Sequence, residues 1–208
     1  MTAMADNYKR VSDDAVREAT GKGWNEWFAL LDESGADSMS HKAIAAMLAT
    51  PDHLGPDGRW WAQTITVAYE HARGRREVGQ TAGAGYEIGV QKTLPITAAR
   101  LWQLLVSAEG MRIWLGDVEE AFPLQPGLTY ETRDGVSGEV RTVSPGEKLR
   151  LTWKPVYLKS PSTLQIYLEA KGDRTALRFH QEKLVDSEER ALMKNHWRNV
   201  LKALSASI

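Results

Sequence analysis

The spacing of apolar residues changes character once along this chain, near residue 80. Before that point apolar positions recur at helical intervals. Asp13 to Thr20 reads as a short helix, stopped by Gly21 and Gly23. Trp24, Trp27, Phe28 and Leu31 follow the i, i+3, i+4, i+7 pattern of a one-sided helix that Gly35 ends. Ser40 is placed to cap a third helix carrying Ile44, Met47 and Leu48 on one face. Thr50-Pro51 closes it, because the residue before proline avoids the α region. A fourth helix runs from about Arg59 to Arg76, with Trp61, Ile65, Ala68 and Ala72 on one face. Arg73, Arg75 and Arg76 sit where cations complement the helix dipole.

Glu77 to Gly85 is glycine-rich and reads as a connector, with 79–85 as the linker proper. Beyond it the period becomes two. Tyr86, Ile88 and Val90 alternate with Glu87, Gly89 and Gln91, which predicts a strand. Two helices follow, one with Leu101, Trp102, Leu104 and Leu105 and a shorter one over Glu109 to Leu115. Strands are then expected near Leu128–Arg133, Ser137–Val143, Lys148–Lys154, Ser162–Glu169 and Thr175–Gln181. They are separated by the turn signals Asp134-Gly135, Ser144-Pro145-Gly146 and Gly172-Asp173. Leu149, Leu151 and Trp153, and Leu164, Ile166 and Leu168, alternate cleanly, as in an antiparallel sheet with one buried face. Asp186 or Ser187 caps a last helix whose stripe is Met193, Trp197, Val200, Leu201, Leu204 and Ile208. That stripe and the sheet's apolar face each need a cover, and each can supply it to the other. The expected organisation is a disordered tail (1–10), an all-helical domain (11–78), the linker, and an α+β domain (86–208) in which an antiparallel sheet wraps the final helix.

Composition removes several function classes. A net charge of −1 gives no global pull toward nucleic acid or anionic membrane. The helical half holds 9 Lys+Arg against 12 Asp+Glu over residues 1–80, which argues against a phosphate-binding footprint despite its arginine cluster. Cysteine is absent, so disulfides, a thiol nucleophile and thiolate metal sites are excluded. No apolar run approaches a membrane span and the N-terminus shows no apolar leader core. A cytoplasmic protein without membrane or nucleic-acid partners is therefore expected.

The ordered pieces of the C-terminal part resemble a known family. They are Ile96-Thr97-Ala98-Ala99-Arg100-Leu101-Trp102, Arg112-Ile113-Trp114-Leu115, Gly138-Glu139-Val140 leading to Leu149-Arg150-Leu151-Thr152-Trp153, Thr175 to Phe179, and His196-Trp197. In this order they resemble the birch-pollen-allergen/START-like (SRPBCC) superfamily. Within it they resemble most the family related to the activator of the ninety-kilodalton heat-shock-protein ATPase. Trp60-Trp61-Ala62-Gln63-Thr64-Ile65-Thr66, Tyr69-Glu70 and Arg73-Gly74-Arg75-Arg76 are similar to a small helical family of unknown function that is fused to this domain in bacteria. The resemblance implies a helix-grip fold with a pocket between the sheet and the last helix. Its lining would be Trp114, Val140, Trp153, Ile166, Phe179, Trp197 and Val200. The bland alternative is that these side chains simply fill the interior.

Candidate chemistry is sparse. His41, His53, His71, His180 and His196 show no metal-ligand spacing, and no metal or cofactor is expected. There is no G-x-S-x-G elbow. Gly83-Ala84-Gly85 precedes a strand, whereas a dinucleotide-binding glycine loop follows one. By alternation His180 points away from the core. His196 is read as a rim residue and is the one weak choice for a general base. Trp60 and Trp61 point about 100° apart on a helix, so both cannot bury on one stripe. Trp60, Trp61 and Tyr69 are therefore the expected interdomain or partner surface. The leading expectation is a binder of a small lipophilic molecule, with the helical domain as lid, docking element or dimerisation surface. A chaperone-accessory or other protein-interaction module, with a homodimer or protein partner, is the second reading. A cyclase- or hydrolase-like enzyme on the same fold is the third.

Overall fold

A computed structural model describes residues 11–77, 79–81 and 85–208. The expected tail over residues 1–10 lies outside the described residues. The chain divides into two compact units, Met1–Val78 and Gly79–Ile208.

The first unit is helical. Its helices are α1 (Asp13–Thr20), α2 (Trp24–Glu33), α3 (His41–Leu48) and α4 (Arg59–Ala72). Ser12 and Ser40 cap α1 and α3 by accepting from Ala15 N–H and Ala43 N–H. The i, i+4 rows meet in a core of Val16, Trp24, Trp27, Phe28, Leu31, Ile44, Leu48 and Ile65. The helix α4 stops four residues short of Arg76. Gly74 takes a left-handed φ of 68°, and Arg75 N–H turns back to Glu70 O at 2.8 Å. Such a cap satisfies the last carbonyls. The arginines beyond it are structural. Arg73 pairs with Asp32, Arg75 donates to the carbonyls of Ala36 and Met39, and Arg76 reaches Glu70 at 3.3 Å.

The fourth helix also corrects one surface expectation. Tyr69 is fully buried, and its hydroxyl donates to Asp32 Oδ1 at 2.8 Å. It lies on the face of Ala62 and Ile65, so it belongs to the core and not to a partner surface. Trp61 is half-buried against that core, while Trp60 is 62% exposed and packs edge-to-face on Trp61.

The second unit is a six-stranded antiparallel sheet in the order β1-β6-β5-β4-β3-β2. Its strands are β1 (Tyr86–Leu94), β2 (Thr129–Glu131), β3 (Ser137–Ser144), β4 (Lys148–Trp153), β5 (Ser162–Lys171) and β6 (Arg174–Leu184). The helices α5 (Ala98–Leu105) and α6 (Ala108–Trp114) connect β1 to β2, and α7 (Ser187–Ala206) ends the chain. Asp186 caps α7 by accepting from Glu189 N–H at 2.8 Å. The predicted alternation sets the register: Ile166 pairs with Phe179 on one side and Leu149 on the other. The expected linker is partly structured. Thr81 N–H bonds to Gly85 O and Glu87 N–H to Gly79 O, which lays residues 79–81 against the start of β1. The strand β6 runs three residues past its expected end, because a register shift opposite Tyr86/Ile88 lets it continue to Leu184. The stripe Met193, Trp197, Val200, Leu201 and Leu204 of α7 is buried with the sheet's inner face in one core. Among the described residues no helix is long and apolar enough to cross a membrane.

Candidate functional site

The site grows from three indoles and their hydrogen bonds. Trp114 ends α6 and donates Nε1–H to Leu105 O at 2.8 Å, which ties α6 to α5. Trp153 ends β4 and donates to Leu115 O at 3.1 Å. Trp197, midway along α7, donates to Gln181 Oε1 at 2.6 Å. Gln181 donates onward to Ser162 Oγ, and Ser162 to Trp153 O. The rings also touch directly. Trp197 stacks on Phe179 with centroids 4.8 Å apart, and its centroid is 5.1 Å from that of Trp153. Buried polar groups of this kind are costly unless paired, and here each indole N–H is paired.

A cavity of about 140 Å³ opens beside this cluster. Trp114, Leu115, Val136 and Trp153 supply its apolar walls, and Tyr157 and His196 border it. Of the seven residues expected to line a pocket, Trp114 and Trp153 border this cavity. Val140, Ile166, Phe179, Trp197 and Val200 are at most 5% exposed and pack within the core.

His196 is the unusual member. Its ring lies against Trp153 and edge-to-face on Trp197, with centroids 5.4 and 4.6 Å away. Its Nε2 is shut off from solvent and has no hydrogen-bond partner. Burial pulls its pKa below the usual value, so the imidazole is held neutral. Around the mouth the polar groups are fixed by local bonds. Arg112 donates to the carbonyls of Val118 and Glu119. Burial of Asp134 opposes its ionised form. Hydrogen bonds from Thr132 and from Asp117 N–H outweigh that burial and hold its carboxyl below the usual range. Burial, then the Asp134 charge, pushes the Tyr157 phenol up, which leaves it a neutral donor. His180 lies 3.5 Å from both Glu87 and Glu182 on the outer side of the sheet, so it does not meet His196. Among the described residues no cluster of His, Asp or Glu could hold a metal ion.

Arg112, Asp134 and Tyr157 were not singled out from the sequence as site residues. Tyr157 sits between strands with no periodicity to place it. The one available signal was Asp134-Gly135, which reads as a turn and also delivers the Asp134 carboxylate to the mouth.

The neutral state of His196 carries a pH dependence. The unfolded imidazole titrates near 6.5, and burial lowers that value in the folded unit. The unfolded chain therefore takes up the proton first as pH falls. The stabilisation is complete above about pH 6.5 and is lost progressively below it. Thermal melts between roughly pH 5 and 7.5 should show this slope. His196→Leu should flatten it, and an unchanged slope in that variant would assign the dependence elsewhere.

The sheet, the long helix packed on it and the small cavity at one end define a helix-grip protein of the START-like class. The family model described as "Activator of Hsp90 ATPase homolog 1-like protein" matches residues 95–208. The chain belongs to this family. Solved structures share the fold of the second unit. A protein from the dynemicin biosynthetic locus is 18% identical over 58% of this chain and 46% of its own, with a TM-score of 0.52. This chain thus spans under half of that protein's length. A protein of Chromobacterium violaceum is 19% identical over 59% of this chain and 96% of its own, at 0.50. An Hsp90 activator from Plasmodium falciparum is 18% identical over 59% and 95%, at 0.51. At these identities the likeness establishes the fold. No curated protein sequence matches the chain.

Proposed function

We propose that the second unit binds a small, largely apolar molecule in the cavity between Trp114, Trp153 and His196. The observation that carries this is the buried, unpartnered Nε2 of a neutral histidine beside an aromatic-walled cavity. A buried polar atom without a partner costs about 1–3 kcal/mol. A turn of the His196 ring toward the cavity would bring this nitrogen to a ligand hydroxyl or carbonyl and remove that cost. The volume of about 140 Å³ suits a molecule near the size of one aromatic ring, since an apolar cavity of about 150 Å³ takes up benzene. Membership of the family supports a ligand-binding or interaction module. The cavity favours the first.

Native mass spectrometry of the purified protein, joined to thermal shifts across single-ring phenols and ketones, tests this. A retained ligand or a stabilising shift is expected. His196→Ala should weaken binding by about tenfold, the value of one hydrogen bond of roughly 1–1.5 kcal/mol. If no compound co-purifies and none shifts the melt, the reading is wrong.

A further inference from the structure

Helix α7 carries Arg190, Lys194, Arg198 and Lys202 at four-residue intervals, and from Arg190 to its end the chain has no Asp or Glu. Residues four apart share a helix face, and like charges there destabilise an isolated helix. The stripe therefore opposes the helix that bears it. Among the described residues no carboxylate pairs with Lys194, Arg198 or Lys202, which removes the usual structural explanation for such cations.

The stripe borders a groove of about 830 Å³. Lys194, Arg198 and Lys202 stand on one wall with Asn195 and Asn199, and residues 89–92 of β1 form the other. Lys92 adds a fourth cation, and among the described residues the lining holds no carboxylate. Strand and helix run side by side in the same sense. Arg190 Nε holds Glu87 O at one end, and Lys92 Nζ reaches Ser205 Oγ at the other.

The strand wall is an edge, since β1 pairs with β6 on one side and ends the sheet on the other. The chain already adds a short segment to that edge. Glu87 N–H bonds to Gly79 O and Thr81 N–H to Gly85 O, and among the described residues this addition reaches no further along β1 than Glu87. In an antiparallel ladder alternate residues direct their main-chain groups to the same side. Gly89, Gln91 and Thr93 therefore present theirs to the same outer side as Glu87. An open edge of this kind is a template for another strand. The spacings also agree. Four helical residues advance about 6 Å and two strand residues about 6.6–6.8 Å. Carboxylates at alternate positions of an extended peptide would thus fall in step with Lys194, Arg198 and Lys202.

We infer that the groove between β1 and α7 docks an extended acidic segment of a partner protein, which adds a strand to the β1 edge and sets its alternate carboxylates against the α7 cations. The groove shares no residue with the His196 cavity, so this stands or falls separately from the ligand reading.

The test is fluorescence anisotropy on the full chain with a labelled ten-residue peptide alternating Glu and Thr, at low salt. The controls are the same peptide N-methylated at alternate amides and a single-stranded oligothymidine of equal charge. Binding is expected, with at least tenfold weakening by N-methylation and by Lys194→Glu with Arg198→Glu, at an unchanged melting temperature. If the charge reversals unfold the protein, Lys194→Gln with Arg198→Gln should give a smaller loss in the same direction. Absence of peptide binding at millimolar concentration overturns the inference. So does equal affinity for the N-methylated peptide, unaltered affinity in the folded charge variants, or tighter binding of the oligonucleotide, which would make the groove a general polyanion site.

Discussion

Trp197→Ala will destabilise the second unit by about 3–5 kcal/mol, the range for deleting a fully buried indole. Three losses combine at this position. The ring is 0% exposed, so its whole area returns to water on unfolding and leaves a cavity on deletion. Its stacking on Phe179 at 4.8 Å and its contact with Trp153 disappear. Its N–H also leaves Gln181 Oε1 without a donor inside the core, at the head of the chain that runs through Ser162 to Trp153 O. Trp197→Phe keeps most of the ring and loses the donor, so it should fall well short of the alanine cost. Hydrogen exchange of the β5 and β6 amides is the suitable measurement, because it reports the stability of this unit within the full chain. A loss under about 2 kcal/mol for the alanine variant, with new uptake of a lipophile, would mean that the interior is a lined pocket and not the packed core described.

This contrast separates what the sequence could show from what it could not. Period-two alternation identified the inward positions of β4 and β5, and the i, i+4 stripe identified those of α7. Both patterns report direction and neither reports volume. Whether Phe179, Ile166 and Val140 enclose space or fill it depends on how rings from four elements interlock, and no local pattern contains that. His196 shows the same limit. Next to Trp197 it lies about 100° round the helix, which reads as a flank. It is covered because Trp153, more than forty residues earlier on another strand, reaches over it. Tyr69 differs for another reason. The apolar spacing of α4 points to a stripe centred on the large residue Trp61, but the buried face is centred on Ala62, Ile65 and Tyr69. A small alanine marks that face, while the two large indoles beside it are an exposed Trp60 and a half-buried Trp61. The fold was legible because patterns repeated over many residues. The site was not, because it rests on single long-range contacts.

Gly110 illustrates a contact of that kind with a large consequence. On propensity alone, replacing a glycine inside a helix by alanine gains about 1 kcal/mol. Here the sign reverses. A Cβ at Gly110 would lie 1.9 Å from Leu104 O and 2.7 Å from its carbonyl carbon, and both are backbone atoms of α5 that cannot rotate away. Relief requires α6 to move as a body. That helix carries Met111 and Trp114, at 0% and 1% exposure, and the Trp114 N–H bond to Leu105 O. Gly110→Ala should therefore cost about 3 kcal/mol or more, at the upper end for overpacking. It should also displace the Trp114 wall of the cavity, so ligand uptake should fall together with stability. Gly146→Ala is the control in the same unit. Its φ of 78° strains an alanine, but no atom lies within 4 Å of the added methyl, so a loss of only about 1–2 kcal/mol is expected. Hydrogen exchange on both variants decides the matter. A Gly110→Ala protein as stable as the parent would show that α5 and α6 are further apart than described, and the cavity built on their junction would have to be redrawn.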